Sequence, residues 1–243
     1  MRYLPLILLL VSTINVFGQA PIQINKILNQ LDINASKCKL DLIRYKALPN
    51  TPEETIAVIP EITYEDEHIF ELNSHILIVN TKSSKIINSF FESSNSNNWV
   101  SDAVVLTNIS IDTAPYYLSN QKRAFGIRVQ YNGSSSVNPY SYETLSLFEK
   151  ENKTLKRILK NYIVEVSQGE WDGNCTGEFN SEKKVLIITD HLTNSYMDIL
   201  VKSSITNRKN HIDNNGNCYK KETTSKKSNI LKYENGQYKP NLL

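Results

Sequence analysis

The feature that most constrains the fold is a succession of short runs rich in Ile, Val, Phe and Tyr, each closed off by polar turn residues. They fall at 55–59, 71–80, 85–92, 103–112, 123–131 and 144–149, then at 184–189, 196–205, 229–233 and 237–239. β-Branched and aromatic side chains suit a pleated, half-buried surface, and runs of this length between turn signals read as strands. Asn80-Thr81-Lys82-Ser83-Ser84 separates two such runs as a hairpin loop, and Asn235-Gly236 between apolar arms is a stronger hairpin signal still. The expected fold is therefore mainly β: a single domain of antiparallel hairpins forming a sandwich, a barrel or a small propeller-like assembly, with a short N-terminal helix.

The helix rests on Ile24, Ile27, Leu28 and Leu31, spaced to share one helical face, and Leu48-Pro49-Asn50-Thr51-Pro52 ends that region. Residues 155–166 fit two periods. Leu155, Ile158, Leu159 and Tyr162 make a helical stripe, which predicts a helix over the first half of that segment.

Ahead of the helix, the chain opens with Arg2, an apolar run from Leu4 to Val11 containing Pro5, and the more polar Ser12, Thr13 and Asn15. That order is the order of a secretory signal peptide, and the run falls short of the roughly 20 apolar residues a spanning helix needs. Val16-Phe17-Gly18 places small or compact residues where signal peptidase reads them, so the expected cut precedes Gln19, with a second choice after Ala20. No lipid anchor is expected, because Cys38 follows Ala35-Ser36-Lys37 rather than an apolar lipobox. The organisation read from sequence is a signal peptide at 1–18, a helical segment at 19–47 and a β domain at 48–243. The expected compartment is periplasmic or extracellular.

The net charge of +2 argues neither for nucleic acid nor for a polyanion, but its distribution is uneven. No Lys or Arg stands between Lys46 and Lys82, where Glu53, Glu54, Glu61, Glu65, Asp66, Glu67 and Glu71 accumulate. The C-terminal end is basic: Lys202, Arg208, Lys209, Lys220, Lys221, Lys226, Lys227, Lys232 and Lys239 face Asp213, Glu222 and Glu234. Each patch reads as a binding surface or, more simply, as a solvated face or a set of ion pairs. Export and the missing aromatic interleaving weigh against nucleic acid.

Three cysteines are present, Cys38, Cys175 and Cys218, and an oxidising compartment permits pairing. Cys175 and Cys218 both sit in turn-like polar stretches able to approach each other, so they form the expected disulfide. There is no cofactor motif and no zinc spacing, and His68, His75, His191 and His211 stand singly. Asp213, Asn215 and Asn217 alternate as the oxygen ligands of a hard cation do, yet lack the later bidentate Glu, so an Asx turn competes with a metal site. Asp190 and Asp198 offer a second, weaker version. For hydrolysis no nucleophile elbow exists; Glu170 and Asp172, flanking Trp171, are the remaining carboxylate pair, two apart as same-face strand residues are.

Asn98-Trp99-Val100-Ser101-Asp102-Ala103, Ile111-Asp112-Thr113-Ala114-Pro115-Tyr116, Arg123-Ala124-Phe125-Gly126-Ile127-Arg128, Asn138-Pro139-Tyr140 and Gly169-Glu170-Trp171-Asp172 followed by Cys175 form a set of motifs. Together they resemble an uncharacterised family of exported proteins of Gram-negative bacteria, from about residue 48 onward. The resemblance implies the compartment and a single domain, and no activity. Tyr196-Met197-Asp198-Ile199-Leu200-Val201 is also similar to a blade motif of integrin-like propellers.

Within these motifs Trp99, Asp102, Arg123, Arg128 and Trp171 are the candidate binding residues. Their competing role is architectural, with Arg123 or Arg128 paired to Asp102, Asp112 or Asp172. The function expected first is non-enzymatic binding of a protein or an envelope glycan. An envelope hydrolase using Glu170 and Asp172 is the alternative, and an immunity-type protein that neutralises a toxin is a third.

Overall fold

Two four-residue stretches, Ile56-Ala57-Val58-Ile59 and Ile76-Leu77-Ile78-Val79, decide how the chain stacks, because all eight side chains are buried. Neighbouring residues of a strand point to opposite faces, so each stretch needs cover on both sides. The computed structural model, which describes residues 22–119 and 122–240, shows what supplies that cover. The signal peptide read at 1–18 lies outside the described residues.

The first stretch belongs to β2 (Thr51–Glu65) and the second to β3 (Phe70–Asn80), which pair antiparallel between β1 (Arg44–Leu48) and β4 (Ile86–Glu92). On one face Ala57, Ile59, Leu77 and Val79 pack against Ile27 and Leu28 of helix α1 (Ile24–Leu31) and against Cys38. On the other, Ile56, Val58, Ile76 and Ile78 meet Ile109 and Ile111 of β6 (Val104–Tyr117) and Phe125, Ile127 and Val129 of β7 (Arg123–Gly133). The short β5 (Val100–Ser101) caps β3, and the one-turn helix α2 (Ser94–Asn97) precedes it.

β8 (Tyr140–Glu151) and β9 (Thr154–Trp171) extend the second layer, and they too are covered on both faces. Phe148 joins the cluster shared with β2 and β3, whereas Leu145, Leu147, Ile158 and Leu159 face a third cluster. That cluster is completed by Tyr196, Ile199 and Val201 of β11 (Tyr196–Ile212), Leu231 and Tyr233 of β12 (Cys218–Glu234) and Tyr238 of β13 (Gln237–Pro240). β10 (Gly177–Thr193) lies between β9 and β11.

All thirteen described strands belong to one hydrogen-bonded sheet, in the order β1-β2-β3-β4-β9-β10-β11-β12-β13, with β8, β7 and β6 branching at β9. Every pairing is antiparallel except the contact of Ser89 with Thr154. The sheet doubles back on itself, so the chain stacks as α1, β1–β4, β6–β9 and then β10–β13.

Two boundaries differ from the sequence reading. β1 begins at Arg44, inside the segment expected to be helical, and the helix ends at Leu31, where Asp32 turns left-handed. Residues 155–159, expected to be helical, are strand. The β8–β9 register shifts three times, leaving Ile158, Val164 and a residue between Leu159 and Tyr162 without opposite partners. Each such bulge skips one step of alternation, and the resulting spacing of apolar residues imitates a helix. Asn161, with φ of 44°, holds one bulge: its N–H donates to Ser146 Oγ at 3.0 Å and its amide to the Asn97 carbonyl at 3.0 Å.

Candidate functional site

Beyond the third cluster, β9 to β12 continue as a ribbon whose turns, 172–176 and 213–217, lie at the same end. A disulfide between Cys175 and Cys218, Cα atoms 5.7 Å apart, ties those turns together, as expected. Cys38 is the free cysteine, buried under α1, and burial pushes its thiol up, with Glu61 adding to the effect. Among the described residues no helix is long and apolar enough to cross a membrane.

Register builds a site on this ribbon. Tyr140, Gln168, Asn180 and Asn207 form one row across β8, β9, β10 and β11, and Glu170, Glu178 and Lys209 form the adjacent row. Residues two apart on each strand share a face, so both rows face the same way. The loop 137–139 runs beside β9, its Val137 carbonyl accepting from the Trp171 N–H at 2.8 Å and its Pro139 carbonyl from Gly169 at 3.0 Å. Between loop and rows lies an open groove of about 1120 Å³, lined by Tyr140, Gln168, Glu170, Asn180 and Lys209 among others. On the other face of these strands Trp171 stands opposite Gly177, where a Cβ would stand 2.6 Å from the Glu170 carbonyl and 3.1 Å from the Trp171 ring.

Tyr140 also lines a neighbouring depression of about 570 Å³, with Asp102, Tyr131, Tyr142 and Asn161. Tyr131 and Tyr142 stack there at 4.5 Å, and Tyr140 is tilted against Tyr142 at 5.7 Å. The two depressions share Tyr140, and the trough they define is aromatic in one part and rich in amides and charges in the other.

The residues singled out from sequence are dispersed. Asp102 borders the trough, whereas Trp171 points to the other face of the ribbon, beside Gly177. Trp99 is buried in the cluster that β2 and β3 share with β6 and β7, and is architecture rather than surface. Arg128 donates from Nε to Asp112 at 2.9 Å and from a terminal nitrogen to Glu143 at 2.6 Å, one of the pairings anticipated. Arg123 donates to the Thr113 carbonyl at 2.9 Å and lies over the Tyr117 ring. Asp102 caps its own turn, accepting from the Val104 N–H at 2.9 Å.

Asp172 has left the strand and does not share a face with Glu170 as a catalytic partner. Its Oδ1 accepts from the N–H groups of Asn174 at 2.8 Å and Cys175 at 2.9 Å, and those bonds hold its carboxyl below the usual range. Glu170 instead stands opposite Glu178, which Lys209 pairs. Asp213 is likewise a turn cap, accepting from Asn215 at 2.8 Å and Asn217 at 2.9 Å, with Gly216 at φ 82° completing the turn. Among the described residues no three His, Cys, Asp or Glu side chains converge to hold a metal.

Three of the seven acids of the N-terminal run have side-chain partners that carry or can carry positive charge. Glu54 pairs with Lys150 and Glu65 with Lys39, while Glu61 bonds His75 at 2.9 Å and Asn73 at 3.1 Å. Sequence reading missed Tyr142, Gln168 and Asn180. The period-2 spacing of Tyr140 with Tyr142 and of Gln168 with Glu170 was the available signal, but bringing them together needed the β8–β9–β10 register.

No family model, curated protein or solved structure matches this chain. Fold and site define a class by themselves: a mainly β protein, braced by one disulfide, that carries an aromatic trough on an open sheet.

Proposed function

We propose that this is an exported, non-enzymatic carbohydrate-binding protein that lays an envelope glycan along the trough. The observation that carries the reading is the mixture of side chains in one open groove. Aromatic faces of Tyr140 and Tyr142 suit the apolar faces of sugar rings, and Gln168 and Asn180, in the row that Tyr140 begins, supply paired donors and acceptors for hydroxyls. The groove is open, as a polymer requires. The N-terminal order of charged, apolar and polar regions and the disulfide support export to an oxidising compartment, periplasmic or extracellular. The motifs around Trp99, Arg123 and Trp171 support kinship with exported proteins of Gram-negative bacteria.

Calorimetric titration with soluble peptidoglycan fragments and surface oligosaccharides tests this. Binding is expected, and Gln168→Ala and Tyr140→Ala should each weaken it about tenfold, or about 1.4 kcal/mol, with unfolding curves little changed. Release of reducing ends by the unaltered protein, lost in the Glu170→Gln/Asp172→Asn variant, would replace binding with hydrolysis. Engagement of Asp172 in its turn supports binding.

A further inference from the structure

β12 leaves an edge open. It pairs with β11 from Cys218 to Leu231 and with β13 only from Leu231 to Glu234, so among the described residues its other edge has no strand partner over 219–227. Each of those residues is exposed. Such an edge presents outward-facing N–H and C=O groups at alternate residues, the template to which a further strand adds.

The side chains along this edge are patterned. Lys220-Lys221 and Lys226-Lys227 are doublets whose first members are six residues apart, separated by Glu222, Thr223, Thr224 and Ser225. Alternation puts Lys220 and Lys226 on one face and Lys221 and Lys227 on the other, with about 20 Å between doublets at 3.3 Å per residue. Among the described residues Lys221 and Lys226 make no ion pair, while Lys220 pairs with Glu222 on its own strand and Lys227 with Glu182 of β10.

A second copy of this chain is a poor occupant. Antiparallel self-pairing centred on Thr223 and Thr224 sets Lys220 against Lys227 and Lys221 against Lys226, and like charges directly opposite are destabilising. The same charges attract a strand of opposite sign on both of its faces.

We propose that the β12 edge docks an extended acidic segment of a partner protein, which adds as a strand and sets two acidic doublets, spaced as the lysine doublets are, against them. The interaction is independent of the trough.

The probe is a Thr/Val peptide of about 12 residues, roughly the reach of this edge, with two Asp-Glu doublets at that spacing. It is titrated onto the folded chain by fluorescence anisotropy, with amide hydrogen exchange read in parallel. Binding with protection of outward amides within 219–227 is expected, falling at least tenfold in K226E/K227E and little changed in the off-edge control K202E. A peptide N-methylated along one edge should not bind. Four results would overturn the proposal. They are equal binding by a peptide of the same composition with its doublets side by side, binding without protection of β12, equal protection by heparin or single-stranded DNA, and protection of the edge by dimerisation of the chain alone.

Discussion

Arg157 and Glu92 form an ion pair between β9 and β4 in which both side chains are about nine-tenths buried, and Lys160 joins it at 3.1 Å. Burial pushes the Glu92 carboxyl up, but hydrogen bonds from Arg157 and Lys160 outweigh that and hold it below its usual value. Asp112 is alike: burial raises it, while the Ala114 N–H, the Tyr116 hydroxyl and Arg128 bring it lower. Burial and Asp112 push the Tyr116 phenol up to about 12, so it remains a donor across the working pH range. Removing Arg157 leaves the buried Glu92 carboxylate only the more exposed Lys160 as a cation, so Arg157→Met should cost on the order of 3 kcal/mol in urea unfolding with the m value unchanged. The pH dependence follows from the sign of the shifts. Carboxyls depressed in the folded state contribute stability that is complete above their unfolded values, near 4, and lost as pH falls through the folded ones. Melting temperature should therefore decline below about pH 4, and less steeply in Glu92→Gln than in the unaltered protein. Sequence reading anticipated Arg128 with Asp112 because both lie in its quoted motifs; Glu92 and Arg157, 65 positions apart, carried no local signal.

At the scale of elements, most strands were legible because alternation and turn residues agree locally. β9 was not, since its three bulges break the period that sequence reading relies on. The disulfide was legible from its two turns. Its chain-entropy contribution for a separation of 43 residues is about 4 kcal/mol, an upper bound here because β10 and β11 already hold the turns near each other. Cys175→Ser/Cys218→Ser should therefore loosen the ribbon tip rather than unfold the protein. Hydrogen exchange is expected to quicken at 207–222 and to stay slow at 56–59 and 76–79; equal acceleration at both would show that the bridge supports the whole fold.

Across the whole molecule, stacking explains which apolar residues matter. Ile78 is fully buried between β3 and β7, while Val185, in an equally apolar run, is 55% exposed on the outer face of the ribbon. Ile78→Ala should cost about 2–5 kcal/mol and Val185→Ala less than about 0.5 kcal/mol, measured by the same denaturant titration. The sequence by itself determined the β class, the hairpins, the disulfide and the uneven charge, because each depends on neighbours within a few residues or on composition. The doubling of one sheet into layers, the bulged course of β9, the rows that gather Tyr140, Gln168 and Asn180, and the open edge of β12 were decided only by tertiary structure. They depend on register between strands distant in sequence, and a one-residue slip there would turn every side chain to the opposite face.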